Sequence, residues 1–216
     1  IILSLLNFSG IRLFNSLNLS MTIVSNGGFL PADSLTEIIK SNLQKLILIF
    51  ALSLSMLNFY LIFNLFNKRT LLKDHREDLY LIGLSFILII SISFNDLNEM
   101  DMIISILSSL SNSGISLIED DNNLSLYFLL ITIIGGSIIS NSSGIKLGRI
   151  YILLKITSSE IIKLISPNSI INKTIFSSQN KITDENVKMS FLIFISFFIS
   201  LFILSSLLVF DYIGFE

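Results

Sequence analysis

Three stretches of this chain, 46–66, 124–145 and 189–210, run on without a single charged side chain. A helix crossing the hydrocarbon core of a bilayer needs about 20 apolar residues in succession, and each of the three meets that length. A fourth stretch, 79–95, is shorter and strongly apolar, within the lower limit of about 17 residues. Residues 1–6 read as the tail of a further span. Composition points the same way. Of the 216 residues, 52% are hydrophobic and 14% charged, against about 25% charged in soluble domains, and mean hydropathy is +0.80. The expected fold class is an all-α integral membrane protein with lipid as its solvent.

Composition also removes several kinds of function. There is no cysteine, which excludes disulfides and thiolate metal sites. A net charge of −2 argues against nucleic acid as a partner. The single histidine, His75, lies in a charged run with Lys68, Arg69, Lys73, Asp74 and Arg76 and reads as a solvated loop residue. With one loop histidine a Ser/His/Asp arrangement is not credible, no enzyme motif is found, and no cofactor is expected. The chain opens on Ile1 with an apolar stretch and no basic leader, so it reads as a fragment.

Loop charges give an orientation. Lys68, Arg69, Lys73 and Arg76 cluster in one turn, and Lys146, Arg149, Lys155, Lys163, Lys173, Lys181 and Lys188 follow residue 145. Residues 95–123 hold Asp96, Glu99, Asp101, Glu119, Asp120 and Asp121 and no basic residue. The positive-inside rule therefore puts 67–78 and 146–188 in the cytoplasm and 95–123 outside. Arg12, Lys40 and Lys45 fall on the outer side, against the rule.

Two uncharged stretches, 13–30 and 102–118, are diluted by Ser, Asn and Gly. Marginal segments of this kind are more often re-entrant than spanning, and non-helical backbone at membrane depth survives only inside protein or beside water. Both end alike. Ser25-Asn26-Gly27-Gly28-Phe29 and Ser111-Asn112-Ser113-Gly114-Ile115 share the pattern Ser-Asn-x-Gly-[Phe/Ile]. Each precedes a polar or acidic outer loop and a full uncharged span. The repeating unit is helix, re-entrant half-helix, extended glycine-containing filter strand, helix, and it covers 1–76, with its first helix truncated, and 77–155. Residues 156–188 form a cytoplasmic connection, and 189–216 begin a further unit.

Such a unit suits a cation crossing the bilayer, which must exchange its hydration shell for other oxygens such as rings of backbone carbonyls. Glycine allows the alternating backbone angles this requires. A half-helix aims its partly negative C-terminal end at the ion. Ser and Asn nearby can satisfy the strand's outward amides, which lipid cannot do.

A second polar feature interrupts the span 124–145. Gly135-Gly136 and the run from Ser140 to Gly144 break it in mid-membrane, and interrupted helices at that depth mark ion or substrate sites. Close helix packing is the other use of small residues. Lys146 is costly inside a bilayer and is expected to face an aqueous pore mouth or to snorkel to the cytoplasm.

These residues resemble the Trk/Ktr/HKT superfamily of potassium transporters, most closely its bacterial TrkH type. Ser25 to Phe29 looks like the second filter strand and Ser111 to Ile115 like the third, with Gly28 and Gly114 matching the filter glycine. Met56-Leu57-Asn58-Phe59 resembles the Gly-x-Asn-Phe stretch of the second unit's last helix. Arg76-Glu77-Asp78-Leu79-Tyr80-Leu81 is similar to the charged opening of the third unit. The most specific match runs from Gly135, Gly136 and Ser137 through Ser140, Asn141, Ser142, Ser143, Gly144, Ile145 and Lys146 to Arg149, like the family's Gly-Gly-x-x-Gly-Ser-Thr-x-Gly-Gly-Ile-Lys-x-x-Arg segment. Ile139, Asn141, Ser143 and Ile115 depart from the family pattern, as do Asn26 and Asn112.

The resemblance implies second, third and incipient fourth pore units around a central pore. Potassium would be the transported ion, held by Asn26, Gly27, Gly28, Asn112, Ser113 and Gly114. The segment from Gly135 to Lys146 would be an intramembrane gating loop, and Arg149 a basic residue of the inner face. It further implies a multi-pass protein of the bacterial inner membrane, a homodimer, and a cytosolic nucleotide-binding regulatory subunit of the TrkA type. Two other readings stay open: a structural membrane subunit of a respiratory complex, and a secondary transporter built on inverted repeats.

Overall fold

A computed structural model describes residues 1–66, 75–92, 98–118, 122–166, 174–177 and 181–210. The basic turn at 67–74 and the acidic positions at 96 and 119–121 lie outside them, as does the end of the last unit. Among the described residues the regular structure is helical: α1 (Ile2–Phe8), α2 (Leu13–Ser25), α3 (Leu35–Ile38), α4 (Asn42–Met56), α5 (Phe59–Phe66), α6 (Arg76–Ile92), α7 (Glu99–Ser111), α8 (Asn122–Ile134), α9 (Leu147–Ile165) and α10 (Asp184–Phe210), with a 3-10 turn at Ile175–Ser177. The chain divides into two compact units, Ile1–Leu147 and Gly148–Glu216.

In the first unit two short helices stand where the half-helices are expected. Both α2 and α7 have 13 residues, about 20 Å at 1.5 Å per residue, well short of a bilayer core. Helix α7 packs against α4, α6 and α8, and α2 against α1 and α4. The difference in company shows in burial. Ile104, Ile106, Leu107 and Leu110 of α7 are all buried, whereas Leu13, Phe14, Leu17, Met21 and Val24 of α2 are exposed. Leu48, Ala51 and Leu52 carry α4 into the same core. At the head of α4, Ser41 and Gln44 form a capping box, which satisfies amides that the first turn leaves without partners. Lys45 in that turn is paired with Asp101 of α7 at 2.6 Å. One of the three basic residues that broke the charge rule is thus neutralised by a residue of the acidic stretch.

The structure corrects one of the expected spans and sets the bounds of two others. Residues 46–66 are not one helix: α4 stops at Met56, Leu57 is extended (φ −80°, ψ 161°), and α5 starts at Phe59. Local polar groups make the break possible, since backbone N–H groups freed from a helix need other partners. The Asn58 side chain accepts from the Tyr60 amide at 2.9 Å, and the Asn58 amide donates to the Asp78 carboxylate at 2.9 Å. Helix α8 ends at Ile134, so the expected span to 145 is helical only in its first part. The stretch 79–95 is represented by α6, which begins earlier, at Arg76.

In the second unit, the ring of Tyr151 in α9 stacks on that of Phe176 in the 3-10 turn, with centroids 4.2 Å apart. An isolated antiparallel bridge joins Thr174 and Lys181. Helix α10 follows, and its segment Asp184–Leu208 is the one described helix long and apolar enough to cross a membrane. Helix α4 and Leu124–Ile134 are shorter apolar helices.

Candidate functional site

The repeat read from five residues extends through the whole half-helix. One offset of 86 residues relates Leu13–Ser25 to Glu99–Ser111, Asn26 to Asn112 and Gly28 to Gly114. Each half-helix ends in a left-handed asparagine, Asn26 at φ 53°, ψ 40° and Asn112 at φ 58°, ψ 33°. Asparagine is among the few residues that tolerate this region. The amide of the next residue then reaches back to the same place, Gly27 to the Thr22 carbonyl at 3.2 Å and Ser113 to the Ser108 carbonyl at 3.0 Å. This is the six-to-one bond by which helices terminate on a left-handed residue.

Thr22 and Ser108 occupy equivalent positions, and both pin the segment that follows. The Thr22 hydroxyl donates to the Phe29 carbonyl, and the Ser108 hydroxyl accepts from the Ile115 amide at 3.0 Å. These two residues are further from the glycines than the Ser and Asn expected to satisfy the segment's amides. Carrying the repeat back from Asn26 and Asn112 by four residues finds them. The extended segments themselves carry no β pairing.

The two segments meet at their glycines. Gly28 and Gly114 have φ of 70° and 68°, which a side chain adopts only at a cost. A methyl group on Gly28 would stand 3.4 Å from the Ser113 carbonyl oxygen and 3.7 Å from that of Gly114. One on Gly114 would lie 3.4 Å from the Gly28 Cα. Backbone therefore faces backbone here, with carbonyl oxygens at the contact. The surroundings are unequal: Ser111 and Ser113 are buried, whereas Ser25, Gly27 and Phe29 are exposed.

The interrupted stretch from Gly135 to Lys146 lies against the end of α2. The Asn141 side chain donates to the Val24 carbonyl at the end of α2, at 3.1 Å. The Asn112 side chain, at the end of α7, donates to the Thr132 carbonyl at 3.1 Å. The stretch is also bonded to the break in the other helix: the Ser137 amide donates to the Met56 carbonyl at 3.0 Å and the Phe59 amide to the Ile139 carbonyl at 2.8 Å. Close approach explains Gly136, where a methyl group would stand 2.5 Å from the Met56 carbonyl oxygen and from the Ser142 hydroxyl. The loop closes when the amides of Ile145 and Lys146 donate to the carbonyls of Ile133 and Ile134, each at 3.0 Å. Ser137, Ser142 and Lys146 are buried, whereas Asn141 and Ser143 are exposed.

Two expectations fail here. Lys146 neither faces a pore mouth nor snorkels. It is 8% exposed, and its ammonium turns back into the loop, donating to the carbonyl and hydroxyl oxygens of Ser140 and Ser142. A buried ammonium needs such partners to replace water. His75 is not a solvated loop residue either. It is 6% exposed, its Nε2 lies 3.0 Å from the Asn64 amide group, and its Nδ1 lies 3.6 Å from the Asp78 carboxylate.

Asp78, with 1% exposure, and Glu77 were unnoticed as site residues. Glu77 accepts from the Ile138 amide at 2.9 Å, as Asp78 accepts from Asn58. Adjacent carboxylates at the start of α6 thus hold one amide of each helix break. Arg149 lies half-buried in the first turn of α9.

Among solved structures, the chain superposes on the potassium transporter TrkH from Vibrio parahaemolyticus with a TM-score of 0.74, at 19% sequence identity. The fold is TrkH-like. The match covers 94% of this chain and 46% of the transporter, so the chain spans under half the length of that structure. No family model and no curated protein matches the sequence. The TrkH-like fold is the frame in which the paired glycine segments and the interrupted helix are set side by side.

Proposed function

We propose that this chain forms part of a membrane pathway for potassium or a similar monovalent cation, in which the paired segments around Gly28 and Gly114 are two arcs of a carbonyl filter. The observation that carries this reading is the duplicated geometry: two half-helices of equal length, the same asparagine cap, and positive-φ glycines in backbone contact. Carbonyl oxygens of Asn26, Gly27, Gly28, Asn112, Ser113 and Gly114 would replace the ion's hydration shell, and the half-helix ends would add a partial negative charge. The name of the structural neighbour agrees with this chemistry.

In this reading the stretch from Gly135 to Lys146, tied through Asn141 to the end of the first half-helix, is the movable barrier below the filter. The chain acts by passive conduction rather than catalysis and works as a multi-pass protein of the bacterial inner membrane. A homodimer and a cytosolic nucleotide-binding partner of the TrkA type are part of the same proposal, with Arg149 on the cytoplasmic face. The test is rubidium uptake into liposomes holding the full-length protein. Saturable uptake that potassium competes away, and choline does not, is expected. Uptake no greater than in protein-free liposomes would remove the reading.

A further inference from the structure

The oxygens around Lys146 form more than a staple for the loop. Its ammonium group carries one positive charge and three donors, and among the described residues Ser140 and Ser142 turn four oxygens to it. The Ser140 carbonyl and hydroxyl lie at 3.2 Å each and the Ser142 hydroxyl at 3.1 Å, with the Ser142 carbonyl as the fourth. Neutral carbonyl and hydroxyl oxygens are the chemistry that replaces the hydration shell of a monovalent cation. Nothing in such a set distinguishes an ammonium group on a tether from a free ion of one charge.

The cluster is held in place by the loop as well as by the lysine. The Ser142 hydroxyl accepts from the Gly136 amide at 2.9 Å, the Ser140 hydroxyl donates to the Ser137 carbonyl at 2.8 Å, and the two hydroxyls are 2.7 Å apart. A second observation concerns the backbone. Lys146 has φ 80°, a region that non-glycine residues rarely occupy. The chain accepts local strain to bring this charged side chain inward, and strain of that kind concentrates at functional elements.

We propose that Ser140 and Ser142 form a monovalent-cation site which the chain fills with its own ammonium, Lys146. While the ammonium is seated, the loop is closed and the site is denied to free ions. When the loop opens and Lys146 leaves, the oxygens can take a potassium ion below the filter. This rests on the conduction reading and adds a site to it.

The experiment uses Lys146→Gly in the full-length protein, because glycine accepts φ 80° and vacates the cluster without new strain. Thermal unfolding of wild type, K146G and K146G/S140A/S142A is followed as potassium replaces choline at constant ionic strength. Ligand that binds only the folded state raises Tm. The upward shift in K146G should exceed that of wild type by about 3 °C, with rubidium acting like potassium, and the excess should fall away in the triple variant. An equal shift in wild type and K146G, or an excess that survives loss of both hydroxyls, would overturn the site and leave Lys146 a structural staple only. If K146G aggregates in choline, its recovery in potassium supports the site and its failure to recover in either potassium or rubidium overturns it. Failure of the conduction reading shows separately, as absent rubidium uptake by wild type, and does not move the difference between the variants.

Discussion

The Ser137 amide donates to the Met56 carbonyl at 3.0 Å, and this bond joins the interruptions of two helices that lie far apart in the chain. Met56 ends α4, and Ser137 follows the glycine pair that ends α8. Each break leaves backbone groups without helical partners, and each supplies partners to the other. Two interruptions, each of which alone would leave backbone groups unpaired, are therefore compatible as a pair. Glu77 and Asp78 complete the arrangement from α6 by taking the Ile138 and Asn58 amides.

Gly136→Ala tests this junction. Its methyl group would meet the Met56 carbonyl oxygen at 2.5 Å. The Ser142 hydroxyl can rotate away, whereas the carbonyl is fixed by its place in the chain. Overpacking of this kind costs about 1–3 kcal/mol, and thermal unfolding of the variant should fall accordingly. Gly83→Ala on α6 is the control, since nothing lies within 4 Å of the added methyl. It should be neutral or stabilising by up to about 1 kcal/mol, as glycine is a poor helix former. A G136A protein as stable as G83A would contradict the close approach.

Asp78 offers a graded test. Asp78→Asn keeps an oxygen acceptor for the Asn58 amide, whereas Asp78→Ala leaves that amide without it. An unsatisfied buried donor costs about 1–3 kcal/mol, so D78A should unfold well before D78N. Equal loss in the two variants would place the contribution of Asp78 in its charge towards His75 rather than in the helix break.

The orientation can be checked directly. Basic residues at 67–76 and 146–188 predict a cytoplasmic side, and the acidic stretch 96–123 an outer one. A cysteine introduced at Asn122 should react with an impermeant maleimide in intact cells. Labelling only after the membrane is permeabilised would reverse the topology.

Much of this arrangement was legible in the sequence because it depends on local chemistry. Gly28 and Gly114 announce unusual backbone angles by residue type, and Gly135-Gly136 announces a break in an otherwise apolar run, whereas the left-handed caps Asn26 and Asn112 appear only in the fold. The break at Leu57-Asn58 was not legible in this way. A single asparagine in an uncharged stretch does not show that a carboxylate twenty residues later will take its amide. His75 was misread for a related reason. Its neighbours in sequence are charged, whereas in the fold it is buried, with Asn64, eleven residues back, beside its ring. Lys146 was expected to seek water because the serine oxygens that replace water become a cluster only once the loop is folded.

The central claim is that backbone at Gly28 and Gly114 selects and passes a monovalent cation. The most direct measurement is potassium-competed rubidium uptake into liposomes by full-length protein carrying Gly28→Ala or Gly114→Ala, at matched amounts of folded protein. Each glycine holds a positive φ that alanine disfavours by about 1–2 kcal/mol, and a rotated carbonyl would no longer face the ion. The account predicts that each variant is made and folded but loses uptake, or loses the preference for rubidium and potassium over sodium. Uptake and ion preference equal to wild type in both variants would contradict it.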